Sequence, residues 1–491
     1  MATRSTIMDT NSFRPGMAEA LPAPLRELAA RRERVLGPSY RLFYREPVHL
    51  VRGEAAHLFD ADGNQYLDVY NNVASVGHCH PRVVAAMTAQ ASTLNTHTRY
   101  LHEAIVRYSE DLLATMPDAI DKVMFMCTGS EANDLAVRVA QAYTGGTGVI
   151  VTSEAYHGNS ALTSGISPAL GTAQPLGRDV RTVPAPDAAR LRAAAAGAAA
   201  SGRNASGLNT SGQGLSGLGA SGQGPAVLGS SGSIAPENPE LGLWFADQVA
   251  AQIADLERHG IRFAAFVADS IFSSDGVFPD PIGFLAPAIE VVHRAGGVFI
   301  ADEVQPGFAR TGQTFWGFER HGVVPDLVTM GKPMGNGIPV SAMAARSEVL
   351  AAFGDSIPYF NTFGGNPVSI AAAQAVLDVI RDEDLQLHSD RVGSLMLAGL
   401  RGMTADHPLV GAVRGAGLYI GVDIVTDPET RNPDQATALE IIEKLRERRV
   451  LTSVCGAGGN VLKLRPPLAF TDADLATFFT AFDEVLATLR T

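Results

Sequence analysis

The sequence predicts an α/β protein, with a mostly parallel sheet covered on both faces by helices and a smaller α+β domain. Three observations lead there. At 491 residues the chain is too long for one small core. Its middle alternates short β-rich runs with helical periods, the pattern that feeds a parallel sheet. After "GGNPVSIAAAQAVLDVIRDED" the texture changes to shorter strands and amphipathic helices.

Taken in order, residues 1–30 read as a loosely held arm. "AHLFDADGNQYLDVYNN" alternates apolar and polar residues around Asp-Gly-Asn and predicts a β-hairpin feeding a loop. The strand candidates are "KVMFMC", "TGVIVT", "FAAFVADSI", "GGVFIADEV", "DLVTMG" and "VSAMAA", with helices such as "SEANDLAVRVAQAY" and "LAPAIEVVHRAGG" between them. A long helix opens at Pro367. "VRGAGLYIGVDIV", "ALEIIEKLRERRV", "NVLKLRPPLAF" and "DADLATFFTAFDEVLATL" complete the smaller unit. Residues 192–233 are Ala-rich and then Gly/Ser-rich. They hold too few bulky apolar groups to offset the entropy of ordering and predict a surface insertion.

Composition narrows the function. The formal charge is −13, without a basic block, which disfavours nucleic acid as a partner. Three cysteines, Cys79, Cys127 and Cys455, have no metal-ligand spacing and suit a reducing compartment. No apolar run reaches the roughly 20 residues a membrane span needs, and the N-terminal stretch lacks a signal-peptide core. The expectation is a cytoplasmic protein with no nucleic-acid partner, no membrane partner and no metal. His78 and His80 in "GHCHP" have ligand-like spacing but no companions, and read as structural or pocket-lining.

Two stretches carry chemistry. In "CTGSEANDLAVRVA" a strand, a glycine turn and a helix start, Gly129-Ser130, together make an anion site. The same Ser/Glu pair is also what plain helix capping produces. In "ADEVQPGFARTGQTFWGFERHGVVPDLVTMGKPMGNG", Asp302 ends one apolar strand and Lys332 follows another. A lysine there is costly to bury unless its amine is used. A Schiff base to an aldehyde cofactor is one such use, with the acid partnering a protonated pyridine nitrogen.

"DEVQPGFARTG…PDLVTMGKPMGNGIPVSAM" resembles the signature of the class III (subgroup II) aminotransferases, enzymes of fold type I that use pyridoxal 5′-phosphate. "YLDVYNNVASVGHCHPRVV", "TGSEANDLAVRVA", "AYHG", "NTFGGNPVS" and "LKLRPPLAFT" follow in the family's order. "GPSYRLFY", "LNTHTRYLH" and "TMGKPMGNG" are similar to the branch of the ethanolamine-phosphate and 5-phosphohydroxylysine phospho-lyases. The resemblance implies a seven-stranded, mostly parallel sheet. It divides the chain into the arm, an N-terminal part of the small domain at 31–70, a large cofactor-binding domain at 71–339 and the rest of the small domain at 340–491.

Residue by residue, the resemblance implies that Lys332 holds the cofactor and moves a substrate proton, and that Asp302 binds the pyridine nitrogen. Val304 and Tyr156 would cover the two ring faces, with His157 beside them, and Gln305 would approach the ring hydroxyl. Gly129 and Ser130 would hold the phosphate, joined by Thr362 from a neighbouring subunit, so a homodimer with shared sites, or a tetramer, is implied. Asp269 and Ser270 stand where many members have Glu-Pro, and Lys463, with Arg465 two residues on, stands where several keto-acid users carry arginine. The principal expectation is a transaminase moving an amino group from an amine or amino acid to a keto acid. The alternative is a lyase that releases phosphate and ammonia, for which Arg41 or Arg99 would supply a substrate cation.

Overall fold

In a computed structural model, residues 9–188, 191 and 239–489 are described; the 192–233 insertion lies outside them. Seven strands form the central sheet: β1 (Lys122–Met126), β2 (Gly148–Thr152), β3 (Val180–Val183), β4 (Phe263–Ala268), β5 (Val298–Asp302), β6 (Leu327–Met330) and β7 (Ser341–Ala345). Their order across the sheet is β1-β7-β6-β5-β4-β2-β3. Only β7 runs against its two neighbours, while the β3-β2-β4-β5-β6 pairings are parallel. Strands β2, β4, β5, β6 and β7 are buried along their whole length, as helices on both faces require. The edge strand β3, "VRTV", escaped the sequence reading because it is four residues long and half polar.

The expected boundary between residues 339 and 340 cuts this sheet. Strand β7 lies between β1 and β6, deep inside the large domain, because its Ala-rich run fits only where helices close on both faces. The expected loose arm also divides. Thr10 and Asn11 are buried, and Phe13 N–H donates to the Leu42 carbonyl at 2.8 Å. The helix Ala23–Val35 buries nothing.

The hairpin His57–Asp60 with Gln65–Asp68 forms around Asp-Gly-Asn. Asp60 accepts from the Asn64 backbone at 2.8 Å and thereby fixes the turn. Beside Gln65–Asp68 lies Val450–Leu451, from the far end of the chain, in parallel. A second small sheet is antiparallel: Val410–Ala416, Tyr419–Ile424, Val461–Leu464 and Ser453–Cys455. Among the described residues no helix is long and apolar enough to cross a membrane.

One contact locks this second sheet against the loop after β5. Arg310, fully buried, donates through Nη1 to the Leu418 carbonyl at 3.3 Å and to the Pro466 carbonyl. The turn at Gly417, with φ +52°, passes so close to the helix Leu385–Thr404 that a Cβ on Gly393 would lie 2.1 Å from the Gly417 carbonyl oxygen. Backbone against backbone cannot give way cheaply. Gly393→Ala is therefore expected to cost about 1–3 kcal/mol by overpacking, read as a lower urea midpoint. An unchanged midpoint would mean that the two segments separate freely.

Candidate active site

Strands β5 and β6 are parallel neighbours with Asp302 in register with Thr329, so Asp302 and Lys332 emerge at the same carboxyl edge of the sheet. That edge is where open α/β sheets bind ligands. Asp302 is 4% exposed. Its Oδ2 accepts from Asn133 Nδ2 at 2.9 Å and His157 Nδ1 at 2.7 Å, and its Oδ1 accepts from the Val304 N–H at 3.1 Å. Because a carboxylate only accepts, the His157 proton sits on Nδ1. The opposite nitrogen, Nε2, is buried without a partner.

Opposite them begins the helix Gly129–Thr144, started by a capping box in which Thr128 and Glu131 satisfy each other's backbone N–H groups. Capping therefore falls to Thr128 with Glu131, not to the Ser130 of the Ser/Glu reading, and it leaves Ser130 outside the box. Ser130 Oγ lies 3.1 Å from Asn159 Oδ1 and accepts from the Asn159 N–H. Two glycines make this approach possible. A Cβ on Gly158, whose φ is +138°, would fall 2.5 Å from Ser130 Oγ, and one on Gly129 would meet Val304 Cγ2 at 3.1 Å. Tyr156 is half-buried beside them, and burial raises its hydroxyl pKa.

Lys332 follows Gly331 at the end of β6. Its amine has no hydrogen-bond or ion-pair partner among the described residues. Desolvation, then the nearby Arg465, push its pKa down to about 8, with Asp302 and Asp269 opposing. Asp269 accepts from the Ile271 N–H at 3.0 Å and from the Ser273 hydroxyl, while burial raises its pKa.

Arg465 is held between two tyrosines, its guanidinium 4.6 Å from the Tyr70 ring centre and 6.0 Å from that of Tyr419. It also donates to Gln305 Oε1. Gln305, expected at a ring hydroxyl, has both amide ends engaged: Oε1 also accepts from Tyr419 at 3.0 Å, and Nε2 donates to Ser273 Oγ at 2.6 Å. Lys463 lies beside them, 7% exposed, with no anionic or hydrogen-bonding partner for its amine among the described residues. Desolvation, then Arg465, bring its pKa to about 7.

Not every expected residue joins this cluster. Arg41 pairs with Asp9 at 3.2 Å near the exposed N-terminal helix, and its charge is already neutralised there. Arg99 stacks on Phe360 at 4.1 Å on the surface. Thr362 is exposed, next to Asn361, whose Nδ2 donates to Glu131 at 2.9 Å. Ser270 is buried with its hydroxyl donating to Glu303 at 2.6 Å, so it braces the loop under Asp269 and does not line the site. His78 is paired with Asp68 at 2.7 Å and His80 with Glu383 at 3.3 Å. Asn133, Ser273, Tyr70 and Tyr419 were missed. Asn133 alone had a local signal, one helical turn after Ser130 on the same helix.

The class-III aminotransferase family model matches residues 43–205 and 233–486. The chain belongs to that family. An alanine–glyoxylate aminotransferase 2-like protein of Drosophila melanogaster is 36% identical over 93% of this chain and 86% of its own length. An ethanolamine-phosphate phospho-lyase homologue of Caenorhabditis elegans is 35% identical, covering 94% of both chains. A phospholyase from Arthrobacter, solved in complex with phosphoethanolamine, is 38% identical with a TM-score of 0.81, covering 94% of this chain and 99% of that one. The cofactor is pyridoxal 5′-phosphate. The residues fit it: an unpartnered amine at Lys332, a clasped carboxylate at Asp302, and a glycine-lined helix start that a single Cβ would fill.

The neutral amine of Lys332 is the form that attacks an aldehyde, and it gains population as pH rises through its lowered pKa. Cofactor capture by the apo-protein is expected to speed up about tenfold per pH unit up to about pH 8 and then level. Stopped-flow absorbance reads this. Continued acceleration past about pH 9.5 would describe an ordinary exposed lysine.

Proposed function

We propose that this chain is a pyridoxal-phosphate-dependent lyase acting on a small phosphorylated amino alcohol. One observation carries the reading: two buried basic side chains, Lys463 and Arg465, lie near Lys332 with no carboxylate paired to either among the described residues. Leaving a buried cation unpaired is expensive, and a dianionic phosphate compensates it best. A transaminase must accept two different substrates in turn, and a basic pair without a carboxylate partner suits an enzyme whose single substrate always brings the anion. The Arthrobacter protein and its phosphoethanolamine support the same reading by similarity.

In this proposal Ser130 and the N–H groups of the Gly129 turn hold the cofactor phosphate, Val304 and Tyr156 cover its ring, and Asp302 faces the ring nitrogen. When bound, the cofactor supplies an electron sink that acidifies the carbon bearing the substrate amine. Lys332 Nζ takes the proton from that carbon. Lys463 and Arg465 hold the phosphate as it leaves the adjacent carbon. The overall change is amino alcohol phosphate plus water to aldehyde, ammonia and inorganic phosphate. Thr362 completes the phosphate site of a second copy. The exposed apolar group around it supports that placement: Phe360 is 43% exposed, Phe363 69% and Leu101 fully exposed.

The second reading is a transaminase, favoured by the name of the Drosophila relative. It would use Lys332 and Asp302 identically, and would differ in needing a keto acid to complete each turnover. An assay with excess phosphoethanolamine and no keto acid separates the two. The lyase reading predicts many turnovers of phosphate and ammonia. A halt after one turnover, relieved by keto acid, would establish the transaminase. Lys463→Gln is expected to lower kcat/KM for the phosphorylated substrate about 10–100-fold, as lost charge-assisted contacts do, with cofactor affinity unchanged. An unchanged kcat/KM would remove Lys463 from the substrate site.

A further inference from the structure

The helix Gly129–Thr144 reaches the site twice. Its first turn carries Ser130, and one turn further in Asn133 is 1% exposed against the sheet edge. Asn133 Nδ2 donates both to Asp302 Oδ2 and to the His157 carbonyl, each at 2.9 Å. Its Oδ1 accepts from Thr329 Oγ1 at 2.7 Å. Thr329 is the β6 residue in register with Asp302, and its carbonyl accepts from the Glu303 N–H at 2.8 Å.

An amide has one donor end and one acceptor end. With two acceptors on one side and the Thr329 hydroxyl on the other, a single orientation satisfies every group. The opposite orientation would set the amide oxygen against a buried carboxylate. Asp302 Oδ2 is thereby filled by Asn133 and His157, whereas among the described residues Oδ1 accepts only the Val304 N–H and keeps a lone pair.

We infer that Asn133, locked by Thr329, is a positioning residue for the cofactor. It fixes which Asp302 oxygen faces the ring nitrogen, and it ties that contact to the phosphate cradle at the start of its own helix. Asn133 touches neither substrate nor cofactor. It acts through Asp302, as a supporting shell sets the aim of a functional group. The inference rests on Asp302 facing the ring, and it holds equally for a lyase or a transaminase.

Thr329→Val keeps the shape and removes the donor, and Thr329→Ser restores the donor. Two substrate-free readouts on the full-length protein test the inference: the cofactor dissociation constant, and the pH midpoint of the bound cofactor's visible absorbance. Thr329→Val is expected to weaken cofactor binding about tenfold, on the scale of one hydrogen bond to a charged group, and to shift the midpoint. Thr329→Ser is expected to return both to within about twofold of the parent.

Asp302→Asn is the control. If it moves both readouts while Thr329→Val moves neither, this inference fails and the reading of Asp302 stands. If Asp302→Asn moves neither, the reading of Asp302 fails and the inference with it. A lower melting temperature of the Thr329→Val apo-protein, with both readouts unchanged, would make Thr329 merely structural and also overturn it. Asn133→Asp, which sets a second carboxylate beside Asp302, is expected to shift the midpoint in its own right; an unmoved midpoint there contradicts the proposed coupling.

Discussion

The carboxylate of Asp302, clasped by three donors at the end of a buried strand, is the constraint around which the rest of the site is arranged. Removing a carboxylate from water costs several kcal/mol unless its lone pairs are filled. Asn133, His157 and the Val304 N–H fill three of them and come from three separate segments. The helix after β1, the loop after β2 and the turn after β5 must therefore all reach one point. The glycines at 129 and 158 follow from that convergence, since a side chain at either would hold the segments apart.

Charge placement then divides the site into two ends. Near Asp302, His157 Nε2 and the Lys332 amine are without partners among the described residues, and burial pushes that amine toward neutrality. On the far side Lys463 and Arg465 crowd together over Tyr419, and burial, then Arg465, lowers the Lys463 pKa. A protein with an overall charge of −13 thus keeps a cationic pocket at its centre. The small sheet that carries both cations is latched to the large domain by Arg310, so the distance between the two ends is set by the fold and not by a loop.

Much of this was legible locally. Lys332 and Asp302 sit on adjacent strand ends because each closes an apolar run, and the helix start at Gly129 announces itself by glycine, serine and the periodic face that follows. What stayed hidden depends on contacts distant in sequence. Nothing near Tyr419 or Ser273 says that they meet Gln305, and nothing near Thr329 says that its hydroxyl meets Asn133. Ser270 stands beside Asp269 in sequence, whereas the fold turns it inward to Glu303. Arg41 and Arg99 were chosen for their neighbours in sequence, and their charges are spent on Asp9 and Phe360. The Ala-rich strand β7 was legible as a strand of the middle section, while its antiparallel place between β1 and β6 depends on partners distant in sequence.

Two buried lysines with lowered pKa, Lys332 and Lys463, compete for the role of cofactor attachment, and chemistry distinguishes them directly. Borohydride treatment of the cofactor-loaded protein, followed by peptide mapping, identifies the lysine that carries the added mass. The arrangement described here predicts modification at Lys332 alone. Modification at Lys463, or at any lysine away from Asp302, would contradict it.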